Sequence, residues 1–227
     1  MLDLLACLLV PGPGFDMRFR SFIIAYALVP GLFLFALRRP APSPKNRYSQ
    51  VVDLTASGRV KTGSEARSGT RIISPAALAS GAWTPPQIPA ERLIGPLVIM
   101  DLNASSAQIS ITDIANWEAQ HGHVPLGAIV AVRRMGNCHR SIADSFPVSD
   151  DAAQFLMDGR YTRGFVIETE VRLGRTLSHE IALHGNYIIE GSVRLAALPD
   201  TGSLIIVAPG TDGNAAKSPV RVLAMVG

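Results

Sequence analysis

From residue 51 onward, short apolar runs of strand length alternate with helix-periodic segments, and this alternation restricts the chain to a mixed α/β architecture. "LVIMDL" (97–102) and "GAIVAV" (127–132) are near-continuous apolar runs, as strands covered on both faces require. "VVDLT" (51–55), "GFVIET" (164–169), "YIIE" (187–190), "SLIIVAP" (203–209) and "PVRVLAMV" (219–226) complete the strand candidates. "ITDIANWEAQHG" predicts a helix capped by Thr112, with Ile114 and Trp117 on one face and Gly122 as its stop. "VSDDAAQFLMDG" predicts another, capped by Ser149, with acids in the first turn and Gly159 as its stop. The expected class is α/β, with α+β as the alternative.

The N-terminal part is a different kind of sequence. The chain is 48% apolar and only 17% charged, a balance that a membrane or targeting segment would explain. Arg18 and Arg20 precede an apolar run over residues 21–37, and Arg38-Arg39 closes it. The run is near the lower limit for a spanning helix and long for the apolar region of a signal peptide. Residues 17–39 are therefore expected to be a signal peptide or an N-terminal membrane anchor. The basic flanks argue against a buried core helix. That places the remainder outside the cytoplasm, periplasmic or membrane-anchored, with residues 21–37 as the membrane contact. Residues 1–16 read as a start placed upstream of Met17. The Pro-rich stretch 40–50 is an extended linker, and 51–227 is the globular domain.

The net charge of +3 is spread without a Lys/Arg run, so no nucleic-acid surface is expected. Cys7 and Cys138 form neither a disulfide framework nor a zinc spacing. "LLAC" at Cys7 has the look of a lipoprotein box, but too little chain precedes it. His121 and His123 flank a helix end, where the dipole favours them, and His184 reads as another helix C-terminal residue. Cys138 and His139 read as a loop pair. Glu168 and Glu170 alternate along a strand candidate, which suggests a salt-bridged or solvated edge rather than paired catalytic carboxylates.

One stretch resists this account. "RSGTRIISP" (67–75) has a Gly69-Thr70 turn and a Ser74-Pro75 helix start, with Arg67 and Arg71 between apolar residues. It is an anion-binding loop, a structural turn, or the remains of another site.

Its surroundings discriminate. "VVDLT", "WTPPQIPAERLIGPLVIMDL", "ITDIANWEAQHGHVPLGAIVAVR", "FPVSDDAAQFLM", "HGNYIIEGSVRLAALPDTGSLIIVAP" and "SPVRVLAMV" resemble, in order, the cyclase family. These are metal-dependent hydrolases that include bacterial kynurenine formamidase (an arylformamidase) and isatin hydrolase. The resemblance implies a strand-rich domain of the swivelling β/β/α type and a homo-oligomer. It also implies a zinc or manganese ion held by the signature H-x-G-T-H-x-D-x-P-x-H together with a later His and Glu. A metal so placed lowers the pKa of bound water and polarises a carbonyl.

Laid over that signature, "RSGTRIISPAA" keeps Gly69, Thr70 and Pro75. Arg67, Arg71 and Ile73 stand at the ligand positions and Ala77 at the proton-transfer position. The later ligand positions fall on Ser178 and Glu190, with His179 as a one-residue substitute. Arginine cannot lose its proton to coordinate, and isoleucine has no donor atom. The stretch between "DLT" and the signature is also shorter than in the family. The expectation is a family member with metal-dependent hydrolysis lost, a pseudoenzyme or binding subunit with no cofactor. One alternative is an active hydrolase of a cyclic amide, formamide or ester, with zinc or manganese on a site rebuilt from His179, Glu190 and His139 or borrowed from a neighbouring subunit. The other is a small-anion module using Arg67 and Arg71.

Overall fold

The computed structural model describes residues 48–56, 69–103, 106–135, 145–210 and 215–227. The apolar run 21–37, Cys7, Arg67, Cys138 and His139 lie outside the described residues. Among the described residues no helix is long and apolar enough to cross a membrane.

Among the described residues, eight strands and three helices make a mixed α/β fold. In chain order they are β1 (Gln50–Asp53), β2 (Arg71–Ile73), β3 (Ile94–Leu102), α1 (Ile111–His121), β4 (Ile129–Arg134), α2 (Asp150–Arg160), β5 (Gly164–Ile167), α3 (Arg175–Leu183), β6 (Tyr187–Glu190), β7 (Ser203–Pro209) and β8 (Lys217–Val226). Strands β3, β4, β5 and β6 are parallel neighbours, joined through the helices as parallel pairing requires. Strand β2 pairs antiparallel with β6 and with β8. Strand β7 pairs antiparallel with β3 and β8, which closes seven strands into a mixed barrel. Strand β1 adds to the edge of β8 beyond β2.

Closure sorts the apolar side chains by strand alternation. Leu97, Ile99, Ile129, Ala131, Val166, Tyr187, Ile189, Ile205 and Val222 fill one core, inside the barrel. Val98, Met100, Val130, Val132, Phe165, Ile167 and Ile188 face the other way and meet Ile114, Trp117, Leu156, Leu177 and Ile181 of the helices. The near-continuous apolar runs are thus strands covered on both faces. Burying each of these larger side chains contributes about 2 kcal/mol. Trp117 crosses between the layers, its indole N–H donating to the Ile99 carbonyl at 2.9 Å.

Two helix ends differ from expectation. Ser110, not Thr112, caps α1: its hydroxyl accepts from the Asp113 N–H, and the Asp113 carboxylate accepts from the Ser110 N–H at 2.8 Å. Thr112 has Ala115 three residues on and cannot form this reciprocal box. Helix α2 runs through Gly159 and ends at Tyr161, in the left-handed region at φ 51°. Arg160 still belongs to the helix because Glu118 of α1 holds its guanidinium.

His184 ties α3 to α2. Its Nδ1 meets the Glu180 carbonyl at 2.9 Å and its Nε2 the Asp158 carboxylate at 2.8 Å. Burial opposes protonation, but the Glu180 carbonyl and Asp158 outweigh it and raise the imidazole above its ordinary value. A raised folded value stabilises the protein fully below the unfolded value near 6.5 and fades as pH rises through the folded one. Asp158→Asn is therefore expected to cost about 0.5 kcal/mol at pH ~5.5 and close to nothing at pH ~9. Urea unfolding at the two pH values checks this, and equal costs would refute it.

Candidate functional site

The C-terminal ends of the parallel strands, where α/β folds place their ligands, carry the charged residues. Strand β2 enters here, because its antiparallel pairing sets Arg71 directly opposite Glu190, the last residue of β6. Such cross-strand neighbours touch. One Arg71 nitrogen, Nη2, donates to Glu190 Oε1 at 3.1 Å and to Glu170 Oε1 at 3.0 Å. Glu190 is only 2% exposed, whereas Glu170 is open to solvent. The Arg71 Nε–H is buried without a hydrogen-bond partner.

The Gly-Thr turn ahead of Arg71 is tightly framed. The Thr70 hydroxyl accepts from the Ala56 N–H at 2.7 Å and donates to the Gly191 carbonyl at 2.8 Å. It therefore ties the exits of β1 and β6 to the start of β2. Ser74 does not use its hydroxyl as a helix cap; it donates to the Ala216 carbonyl at 2.8 Å, and Pro75–Ala77 forms a single 3-10 turn. Within the stretch read as a loop, a turn or the remains of another site, Arg71–Ile73 form a three-residue strand in the barrel wall, too short to show a periodicity.

The other signature positions do not converge on Arg71 as ligands would. Ile73 is buried in the apolar layer with Leu177 and Ile181 of α3. Ala77 is exposed. Ser178 donates its hydroxyl back to the Gly174 carbonyl one turn earlier, and His179 is exposed on α3.

Other charged groups sit along the same end. Arg133 donates to both Asp101 oxygens and to Asp200, and to the Leu198 carbonyl, stapling β4 to β3 and to the turn before β7. Burial pushes the Glu168 carboxyl above the usual carboxylate range, against the Arg134 N–H that it accepts from. Glu168 and Glu170 do not share a strand face, because β5 ends at Ile167. The first turns to β4 and the second to Arg71. Sequence reasoning treated Glu170 as an edge residue and missed its convergence with Glu190. Its only signal was a position just past a strand end.

The described histidines other than His179 have partners. His121 stacks on Trp117 with ring centroids 4.7 Å apart, and His123 meets Glu118 at 3.1 Å. Among the described residues no group of three or more His, Cys, Asp or Glu could hold a metal ion. The residues that the resemblance sets at ligand positions do not suit one either. Arg71 presents a guanidinium and Ile73 a hydrocarbon, neither with a lone pair to give. The Arg71 charge also lies 3.1 Å from the one carboxylate that remains, Glu190.

The closed mixed barrel flanked by the three described helices is similar in fold to the isatin hydrolases and related metal-dependent hydrolases. The chain belongs to the cyclase family: that family's sequence model, described as "Putative cyclase", matches residues 28–171. The match spans Arg67, Arg71, Ile73 and Ala77 and stops before Ser178 and Glu190. Isatin hydrolase A from Labrenzia aggregata, bound to benzyl benzoate, is similar at 25% identity, over 78% of this chain and 93% of that one, with a TM-score of 0.64. Isatin hydrolase A from Ralstonia solanacearum shares the fold at 19% identity, over 96% of this chain and 100% of that one, with a TM-score of 0.65. A potential metal-dependent hydrolase with cyclase activity shares it at 24% identity, over 77% and 96% of the two chains, with a TM-score of 0.59. No curated protein sequence matches the chain.

Proposed function

We propose that this protein is a cyclase-family member, related to arylformamidase-type amide and ester hydrolases, that has lost metal-dependent hydrolysis and serves as a binding or structural subunit. One observation carries the reading: the Arg71 guanidinium is bonded to buried Glu190, and the resemblance sets both residues at ligand positions. A fixed positive charge there opposes a divalent ion at close range. With Ile73 and Ala77 at two further positions, neither coordination nor proton transfer has a side chain to use.

The same ion pairs weigh against the small-anion reading, since Arg71 already serves two carboxylates. Purified protein is expected to hold far less than one equivalent of zinc or manganese. It is also expected to leave N-formylkynurenine, isatin and simple lactones unhydrolysed above background, with or without added metal. Elemental analysis and a direct turnover assay check this. An equimolar ion with chelator-sensitive turnover would overturn it. If that turnover also vanished in both His179→Ala and Glu190→Ala, the rebuilt site would take its place.

A further inference from the structure

We propose that the end of the barrel opposite Arg71 and Glu190 is a self-association face, where Ile94, Leu126, Tyr161, Leu183 and Trp83 pack against the same face of a second copy of this chain. The inference goes beyond the proposed loss of hydrolysis by naming a partner, and it uses neither Arg71 nor Glu190.

Strand register places these side chains. Leu97, Ile129, Gly164 and Tyr187 are successive partners across β3, β4, β5 and β6. Ile94, Leu126 and Tyr161 each stand three residues ahead of that row and Leu183 four, so all gather where the parallel strands begin. The connections there are tied together. The Gly127 N–H donates to the Arg160 carbonyl at 3.1 Å, Arg163 donates to the Glu91 and Ile94 carbonyls, and His184 meets Asp158. Trp83 lies against Gly185, with the Arg92 guanidinium 5.9 Å from its ring centroid. Eight large hydrophobic side chains are exposed among the described residues, and five of them belong to this end, which is not the scatter of an ordinary surface. Leu126, Tyr161 and Leu183 are 70%, 67% and 66% exposed. Tyr161 also occupies the left-handed position that a helix end usually gives to Gly or Asn.

Area and charge point to a second copy as the occupant. At roughly 100 Å² each, the five side chains present on the order of 500 Å², the larger part of the about 800 Å² that each partner buries in a standard interface. The rim carries both signs. Glu91 and Asp158 are exposed, with Arg160 and Arg163 half-buried at the same end. Those carboxylates oppose an anionic bilayer, whereas a two-fold contact sets the acids of each copy against the cations of the other.

The test uses the full chain, with sedimentation velocity and amide hydrogen exchange as readouts. Standard-size interfaces bind at micromolar or tighter, so parent protein at about 50 µM is expected to sediment at twice the chain mass. Exchange in segments 122–127, 158–162 and 183–186 should slow as protein concentration rises. Leu126→Arg combined with Leu183→Arg is expected to weaken association at least about tenfold, because two apolar contacts become like charges facing one another. Met135→Arg, an equally exposed apolar position past the far end of β4, should associate like parent. If the double variant does not fold, Leu126→Arg alone and the exchange pattern of the parent decide. A parent that stays monomeric overturns the proposal. So does association that the substitutions leave unchanged, or that gives no protection in the three segments. Protection that appears only with phosphatidylglycerol vesicles, and not with protein concentration, also overturns it and makes the face a membrane contact. Turnover and metal content of the parent, which decide the proposed function, leave these readouts untouched, so each can fail alone.

Discussion

Gly164→Ala is expected to destabilise the protein by about 3 kcal/mol, the upper end of the usual cost of overpacking a tight core. Gly164 opens β5 and lies between Ile129 and Tyr187 in the barrel wall. A Cβ there would stand 2.8 Å from the Tyr187 carbonyl oxygen and 2.8–2.9 Å from two carbons of its ring. A flexible neighbour could step aside, but this one is held. Tyr187 is wholly buried, and its hydroxyl donates to the Arg92 carbonyl at 2.9 Å. Arg92 in turn donates to the Asn186 side chain and to the His184 carbonyl. The backbone carbonyl cannot move without disturbing the β5–β6 pairing that also positions Glu190. Urea unfolding of parent and variant gives the cost directly, and a loss below about 0.5 kcal/mol would mean the Tyr187 ring relaxes freely.

Glu118→Gln is expected to cost about 2–3 kcal/mol at neutral pH, as a mostly buried charged pair does when one partner is neutralised. The Glu118 carboxylate accepts from Arg160 Nε at 2.7 Å and Nη2 at 2.9 Å, and from the Val124 N–H at 2.9 Å. It joins α1 to α2 and to the turn that enters β4. The Arg160 hydrogen bonds outweigh burial and hold its carboxyl down to about 2, from 4.5. A depressed folded value means the stabilisation is present above pH 4.5 and is lost as pH falls toward about 2. The stability difference between parent and Glu118→Gln should therefore shrink across that window. A difference independent of pH would show that shape, not charge, sets the cost.

Much of the architecture was legible before the structure. "YIIE" and "SLIIVAP" coincide with β6 and β7, because apolar runs bounded by turn residues have few other stable states. Ser149 and Gly122 mark true helix ends for local reasons of capping and positive φ. What escaped were features set by distant partners. The end of α2 depends on Arg160 reaching Glu118. Strand β2 is three residues long and exists because β6 and β8 bond it on both sides.

The candidate site divides the same way. That Arg71, Ile73 and Ala77 offer no metal donor is a property of the residues themselves and needs no coordinates. The order of strands and helices was likewise written locally, in periodicity and caps. Only the tertiary structure decided where the Arg71 charge goes, because its partners lie 99 and 119 residues away in the chain. Barrel closure sets β2 beside β6, whose register puts Arg71 opposite Glu190, and Glu170 reaches the same guanidinium nitrogen from beyond β5.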